Sequence, residues 1–230
     1  MLAAFAIYDG RAGTIGGKVV PHWLGEKPDW IGPHHFGYLS VLDLGDDMRE
    51  VAAGEWLVGC NIAFDRKAVI DAGGFSKSLG RTGTGLALLS NEELELTRRI
   101  KATGRLEIYN PKACVEHVIP PERLTQAWFR RRAAWQAASD FITNEKDMGD
   151  AVEASADRLE RHILAQASKK PPGFFDEKVA AEQFAADMEI IYDLVIVSLN
   201  GGVVRDLKKT GRRSFVSDFL GSLVRPWHAK

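Results

Sequence analysis

Cysteine is scarce in this 230-residue chain, which carries only Cys60 and Cys114. Two thiols cannot staple a loop-rich scaffold, so a disulfide framework is excluded and a reducing compartment is the expected setting. An excess of one charge is lacking too. Lys and Arg number 30 against 31 Asp and Glu, a formal net charge of −1, whereas a dedicated nucleic-acid binder carries a clear basic surplus. No apolar run approaches the ~18 residues that a membrane-spanning helix needs. The apolar start Met1-Leu2-Ala3-Ala4-Phe5 has neither the basic flank nor the cleavage site of a secretory signal. Internal repeats and low-complexity tracts are absent as well. What remains is 45% hydrophobic, enough for one ordinary domain, or a domain with an arm, around a sizeable core. The expectation is a soluble, cytoplasmic, globular protein that does not bind nucleic acid.

The pattern predicts α/β structure first and helices afterwards, with a seam near Pro120-Pro121 dividing residues 1–120 from 121–230. Ala12 to Val20 reads as a glycine-broken strand stopped by Pro21, and Glu55 to Asp65 as a second, buried strand. Glu107 to Val118 reads as a third, interrupted by Pro111. Lys67 to Asp71 predicts a short helix closed by Gly73-Gly74, and Ser90 to Thr103 a longer one stopped at Gly104. Farther on, Leu124, Trp128, Trp135 and Ile142 fall on one helical stripe, and Val152, Ala156, Leu159 and Ile163 on another. Pro171-Pro172-Gly173 breaks the chain before a last helix, Phe174 to Leu199. Residues 205–230 hold seven basic residues against Asp206 and Asp218, interleaved with Phe215, Phe219 and Trp227. That composition suits the surface of an anionic membrane, or a solvated helix end docked on the core.

The segment Ser90-Asn91-Glu92-Glu93-Leu94-Glu95-Leu96 carries the most chemistry. On a helix, Glu93 shares a face with Leu89, Leu96 and Ile100. A carboxylate on an apolar face is either satisfied locally or held for chemistry. Locally, Ser90 and Glu93 have the S-x-x-E spacing of a capping box, and acidic residues suit a helix start. Chemically, a partly desolvated carboxylate can take a proton from a hydroxyl. Arg131 falls on the stripe of Trp128 and Trp135, and an inward arginine calls for an anionic partner, whereas Arg130 points elsewhere, toward solvent. Trp30 reads as core. Trp23 and Trp56 can be read as core or as aromatic stacking surfaces for a ligand.

Several motifs occur in a fixed order: Ile15-Gly16-Gly17-Lys18-Val19, Pro28-Asp29-Trp30, Gly59-Cys60-Asn61-Ile62-Ala63-Phe64-Asp65-Arg66, Gly73-Gly74-Phe75, Glu92-Glu93-Leu94-Glu95-Leu96, Tyr109-Asn110-Pro111 and His117. Together, over about residues 10 to 135, they resemble the back half of family 2 glycosyltransferases, whose wording is G-G-[KR]-V, P-x-W, G-x-N-x-x-[FY]-[RK]-[RK], GGF, E-D-x-[DE]-L and Y-x-P…H. The resemblance implies a partial GT-A-like mixed sheet with flanking helices, and inverting transfer of a sugar from a nucleotide-sugar to an acceptor hydroxyl, in the synthesis of a cell-surface polysaccharide or glycolipid. It places the general base on Glu93, a Glu where the family has Asp, with Glu92 beside it to orient the acceptor or the base. Asn61, Trp56, Arg123 and Arg131 become substrate-binding candidates, the arginines toward the diphosphate. His117 becomes a metal ligand.

The resemblance leaves out the family's nucleotide-binding half and its D-x-D motif, which occurs nowhere in this sequence. Asp46-Asp47 is out of place for it and reads as a solvated turn after Leu44-Gly45. A divalent metal, Mn²⁺ or Mg²⁺, is therefore expected only where a D-x-D half is supplied. Two expectations follow. In one, the chain is the acceptor-side portion of an enzyme that uses a nucleotide-sugar donor and a saccharide or lipid-linked acceptor, held by its basic tail at the inner face of a membrane. In the other, it is an inactive remnant serving as a binding module, the open sheet edge covered by a partner chain.

Overall fold

A computed structural model describes residues 1–77, 79–80, 89–144, 149–166 and 179–200. The basic tail and the Pro171-Pro172-Gly173 break lie outside the described residues. The chain forms two compact units, one of Met1–Ser78 with Asn91–Leu124, the other of Leu79–Ser90 with Thr125–Lys230.

The first unit is a mixed α/β layer. Its sheet has the order β2-β4-β1-β3, from β1 (Ala12–Trp23), β2 (Arg49–Glu50), β3 (Ile62–Phe64) and β4 (Leu106–Ile119). Strands β1 and β4 run parallel, while β2 and β3 pair antiparallel on either side of them. Alternation along the strands separates two apolar surfaces. On one, Ala12, Ile15 and Ile108 pack against Ala4 of α1 (Leu2–Ile7). On the other, Tyr109 meets Leu57 and Val51. A third cluster joins Leu96 and Ile100 of α3 (Glu92–Ala102) to Ala68 of α2 (Arg66–Asp71). Helix α2 starts where Asp65 accepts the Ala68 amide, and it is followed by Gly73 and Gly74, both at positive φ, the stop that the sequence pattern expects.

Two strand expectations need correction. Pro21 does not end β1, which continues to Trp23 with Pro21 opposite His117. Val19 exchanges both backbone hydrogen bonds with Leu42, so its N–H points away from β4. Pro21, two residues on, has its nitrogen on that same outer side, where no ladder donor is needed. The second correction concerns Glu55 to Asp65. Only Ile62–Phe64 is strand, preceded by a 3₁₀ turn over Gly59–Asn61. Its apolar character comes from a loop whose Leu57 and Val58 are buried. Pro111 does interrupt β4: the register jumps from Gly17↔Asn110 to Val19↔Val115, so Pro111 to Cys114 bulge opposite Lys18.

The second unit is helical: α4 (Gln126–Thr143), α5 (Gly149–Gln166) and α6 (Ala181–Ser198), with α6 packing on both α4 and α5. Thr125 caps α4 through the Trp128 amide. Phe129 and Phe184 meet edge to face, 6.3 Å between ring centres. Arg130 corrects the sequence reading. It is buried, not solvated, and donates to Asp187 of α6 at 2.8 Å. Helix α4 is covered on more than one side, so a single apolar stripe underestimates its burial. On α5, Ser155 and Leu159 are buried while Ala156 is exposed.

Candidate functional site

The junction of two motifs organises the first unit. Helix α3 begins at Glu92, preceded by Asn91 in the left-handed conformation, φ 74°. Ser90 is not its cap. Its amide donates to Ser139 Oγ and its hydroxyl accepts from Arg132, so the predicted Ser90–Glu93 capping box does not form. Instead Glu93 Oε1 accepts the backbone N–H of Gly59 at 3.1 Å, from 34 residues earlier in the chain. A Cβ at position 59 would lie 2.8 Å from that oxygen and 3.1 Å from the carboxyl carbon. Glycine is what allows the carboxylate to rest on this backbone.

Asn61 holds the turn that presents Gly59. Its Nδ2 donates to Lys18 O at 3.0 Å and Ala113 O at 2.6 Å, tying the bulged stretches of β1 and β4 together. A Cβ at Gly17 would fall 1.9 Å from Ala113 O, so this close approach also requires glycine. With its amide donors on two carbonyls, buried Asn61 is a strut for the turn. Cys60, between Gly59 and Asn61, has its thiol pKa raised, first by burial and then by the negative charge of Glu93. Glu92 is half-buried, and its Oε2 is shielded from solvent with no hydrogen-bond partner among the described residues.

Trp56, 48% exposed, borders a cavity of about 460 Å³ in this unit, with Phe36, Val41, Leu42, Pro21 and Asp43. The 3₁₀ turn Pro33–Leu39 forms one wall and is braced twice. His117 Nδ1 donates to Leu39 O at 2.7 Å, because a carbonyl can only accept. His35 Nδ1 accepts the Gly32 amide at 3.2 Å, and burial, followed by its neighbour His34, lowers the His35 pKa to about 4. Trp30 is half-buried, edge-on to His35. Sequence reasoning missed the cavity, since loop aliphatics carry no periodic signal. Gly59 was visible only as a letter of its motif.

The remaining candidates are dispersed. Arg123 is half-buried in the 3₁₀ turn after β4. Arg131 belongs to the helical unit, half-buried, its Nε shielded without a hydrogen-bond partner among the described residues. Asp46 and Asp47 are exposed, as a solvated turn requires. Among the described residues no three His, Cys, Asp or Glu side chains converge. Among the described residues His117 has no companion ligands around it, so these residues by themselves do not make a metal site. None of the described helices is long and apolar enough to cross a membrane.

No family model and no solved structure matches the chain. Among curated proteins it is similar to the glucosyl-dolichyl phosphate glucuronosyltransferase of Haloferax volcanii, 33% identical over 132 residues. The match covers 56% of this chain and 41% of that relative, so the chain spans less than half the length of the protein it resembles.

Proposed function

We propose that the chain is the acceptor-side portion of an inverting glycosyltransferase of family 2, built on a GT-A-like sheet, which moves a sugar from a nucleotide-sugar to a hydroxyl of a lipid-linked saccharide. The observation that carries this reading is the Gly59–Glu93 contact, which joins the G-x-N and acidic-helix motifs at one point. The similarity to a transferase whose name specifies a glucosyl-dolichyl phosphate supports both the reaction type and a polyisoprenyl-phosphate acceptor.

In this mechanism the Glu93 carboxylate takes the proton of the acceptor hydroxyl. The acceptor oxygen then bonds to the anomeric carbon as the bond to the diphosphate breaks on the opposite face. The pair leaves with the nucleoside diphosphate, and the anomeric configuration inverts. A positioned general base contributes roughly 10²–10⁴-fold. Gly59 fixes the Glu93 carboxylate before substrate arrives, and Glu92 orients the acceptor. Arg123 is assigned to the leaving diphosphate, and Arg131, in the helical unit, to an anionic group. A divalent metal would neutralise the diphosphate where a D-x-D half, absent from this sequence, is supplied to hold it.

The test is an assay of sugar transfer from a panel of nucleotide-sugars to glucosylated polyisoprenyl phosphate, using the protein as its native cells make it. A product with an inverted anomeric linkage is expected. No transfer from any donor, or retention of configuration, would refute the reading.

A further inference from the structure

We propose that the cavity beside Trp56 seats an apolar polyisoprenoid chain, the lipid portion of the acceptor, with Trp56 as its outer wall. The inference rests on the transferase reading above and assigns a binding site to one part of the acceptor. At about 460 Å³ the cavity falls within the usual range of small-molecule sites. Its walls are Val19, Pro21, Phe36, Val41 and Leu42, and the one charged side chain among its lining residues is Asp43. That carboxylate is engaged: Oδ2 with Lys18 at 2.6 Å, Oδ1 with the Gly45 amide at 3.1 Å. The backbone groups of Val19 and Leu42 are bonded to each other.

Those assignments decide between hydrocarbon and sugar. A pyranose entering this cavity would strip water from several hydroxyls and find few groups to replace it, leaving them unpaired at a cost. A branched hydrocarbon needs no such partners. Trp56 contributes the second observation. It is a large aromatic, 48% exposed at the cavity's border, and it lies close over Gly37, where a Cβ would come within 3.5 Å of the indole. Apolar surface exposed around a concavity marks a binding site more often than scattered single residues do. Position is the third. Trp56 precedes Gly59 by three residues, a span of at most ~11 Å, and Gly59 touches Glu93. A lipid chain seated here therefore leaves its phosphate and sugar within reach of the proposed base.

The experiment titrates the purified chain with four probes: citronellyl phosphate, citronellol, methyl β-glucoside and inorganic phosphate. Binding is read by calorimetry and tryptophan fluorescence. Both citronellyl compounds should bind and blue-shift the emission, and the glucoside and phosphate should not. Trp56→Ala, and Gly37→Leu filling the cavity from the other side, should each weaken binding by about tenfold or more, with circular dichroism confirming that both fold. Binding of the glucoside alone would make this a sugar site, and binding of phosphate alone an anion site. Either result overturns the proposal, as does silence from all four probes or affinity that survives both substitutions. The two readings separate in the transfer assay. A protein that binds citronellol through Trp56 but transfers no sugar sinks the transferase reading and keeps the cavity assignment. An active enzyme whose KM for lipid-linked acceptor ignores both substitutions does the reverse.

Discussion

Acid should weaken the wall of the Trp56 cavity through a single histidine. His35 is 4% exposed, its Nδ1 accepts the Gly32 amide, and His34 lies against it with ring centres 3.8 Å apart. A proton on His35 must enter a desolvated site beside another imidazole, so its pKa falls from 6.5 to about 4. Between those values the unfolded chain holds a proton on His35 that the folded chain refuses, so stability rises with pH across the window. It is complete above pH 6.5, falls as the pH drops toward 4, and levels off below. At about 1.4 kcal/mol per pH unit, the whole interval is worth about 3 kcal/mol. The assay is urea unfolding at a series of pH values for the wild type and His35→Gln, which retains an acceptor but does not titrate. Subtracting the two profiles removes the shared carboxylates. The difference should be flat above pH 7 and move by about 3 kcal/mol between pH 7 and 4. Parallel profiles throughout would refute the argument, as would an NMR titration showing the His35 ring protonated near pH 6.5.

Other consequences follow from the same geometry. Gly59→Ala should push the Glu93 carboxylate off the turn, since the new Cβ would sit 2.8 Å from Oε1. Transfer should fall roughly 10–100-fold, and the Cys60 thiol pKa should drop part of the way as the negative charge withdraws, read by alkylation rate against pH in a Cys114→Ser background. Unchanged alkylation and turnover would show that the contact positions nothing. Arg130→Met strands the buried Asp187 carboxylate and should cost about 3–5 kcal/mol in urea unfolding, most of it regained by adding Asp187→Leu. A cost below ~1 kcal/mol would contradict a buried pair. Calorimetry of the chain with UDP and Mn²⁺ should show no metal-dependent binding, because the sequence contains no D-x-D to hold the metal against the diphosphate. Metal-dependent heat would place a donor site within this chain.

The fold was legible where chemistry is local. The Gly73-Gly74 stop and the stripe through Trp128 and Trp135 are written in neighbouring residues, and the structure bears them out. It was illegible where a distant partner decides. Ser90 and Glu93 have capping-box spacing, yet Ser139 and Arg132 claim the serine and Gly59 the glutamate. Arg130 read as solvated because nothing near it in sequence announces Asp187, 57 residues on. Pro21 read as a strand end because pairing direction, which excuses its missing N–H, is a property of the sheet. Of the candidate site, Glu93 and Trp56 are named by the sequence, and the structure shows what each one touches. The service of Asn61 to the turn, and the neutral walls that make Trp56 part of a cavity, depend on bulges and loops without a periodic signature.

The assignment of Glu93 as the base is tested most directly by Glu93→Gln in the transferring protein. The substitution keeps the shape of the side chain and an oxygen for the Gly59 amide, but removes the proton acceptor. Turnover should fall by roughly 10²–10⁴, with nucleotide-sugar affinity unchanged. A mutant that turns over at the wild-type rate would show that the carboxylate serves only to anchor the turn.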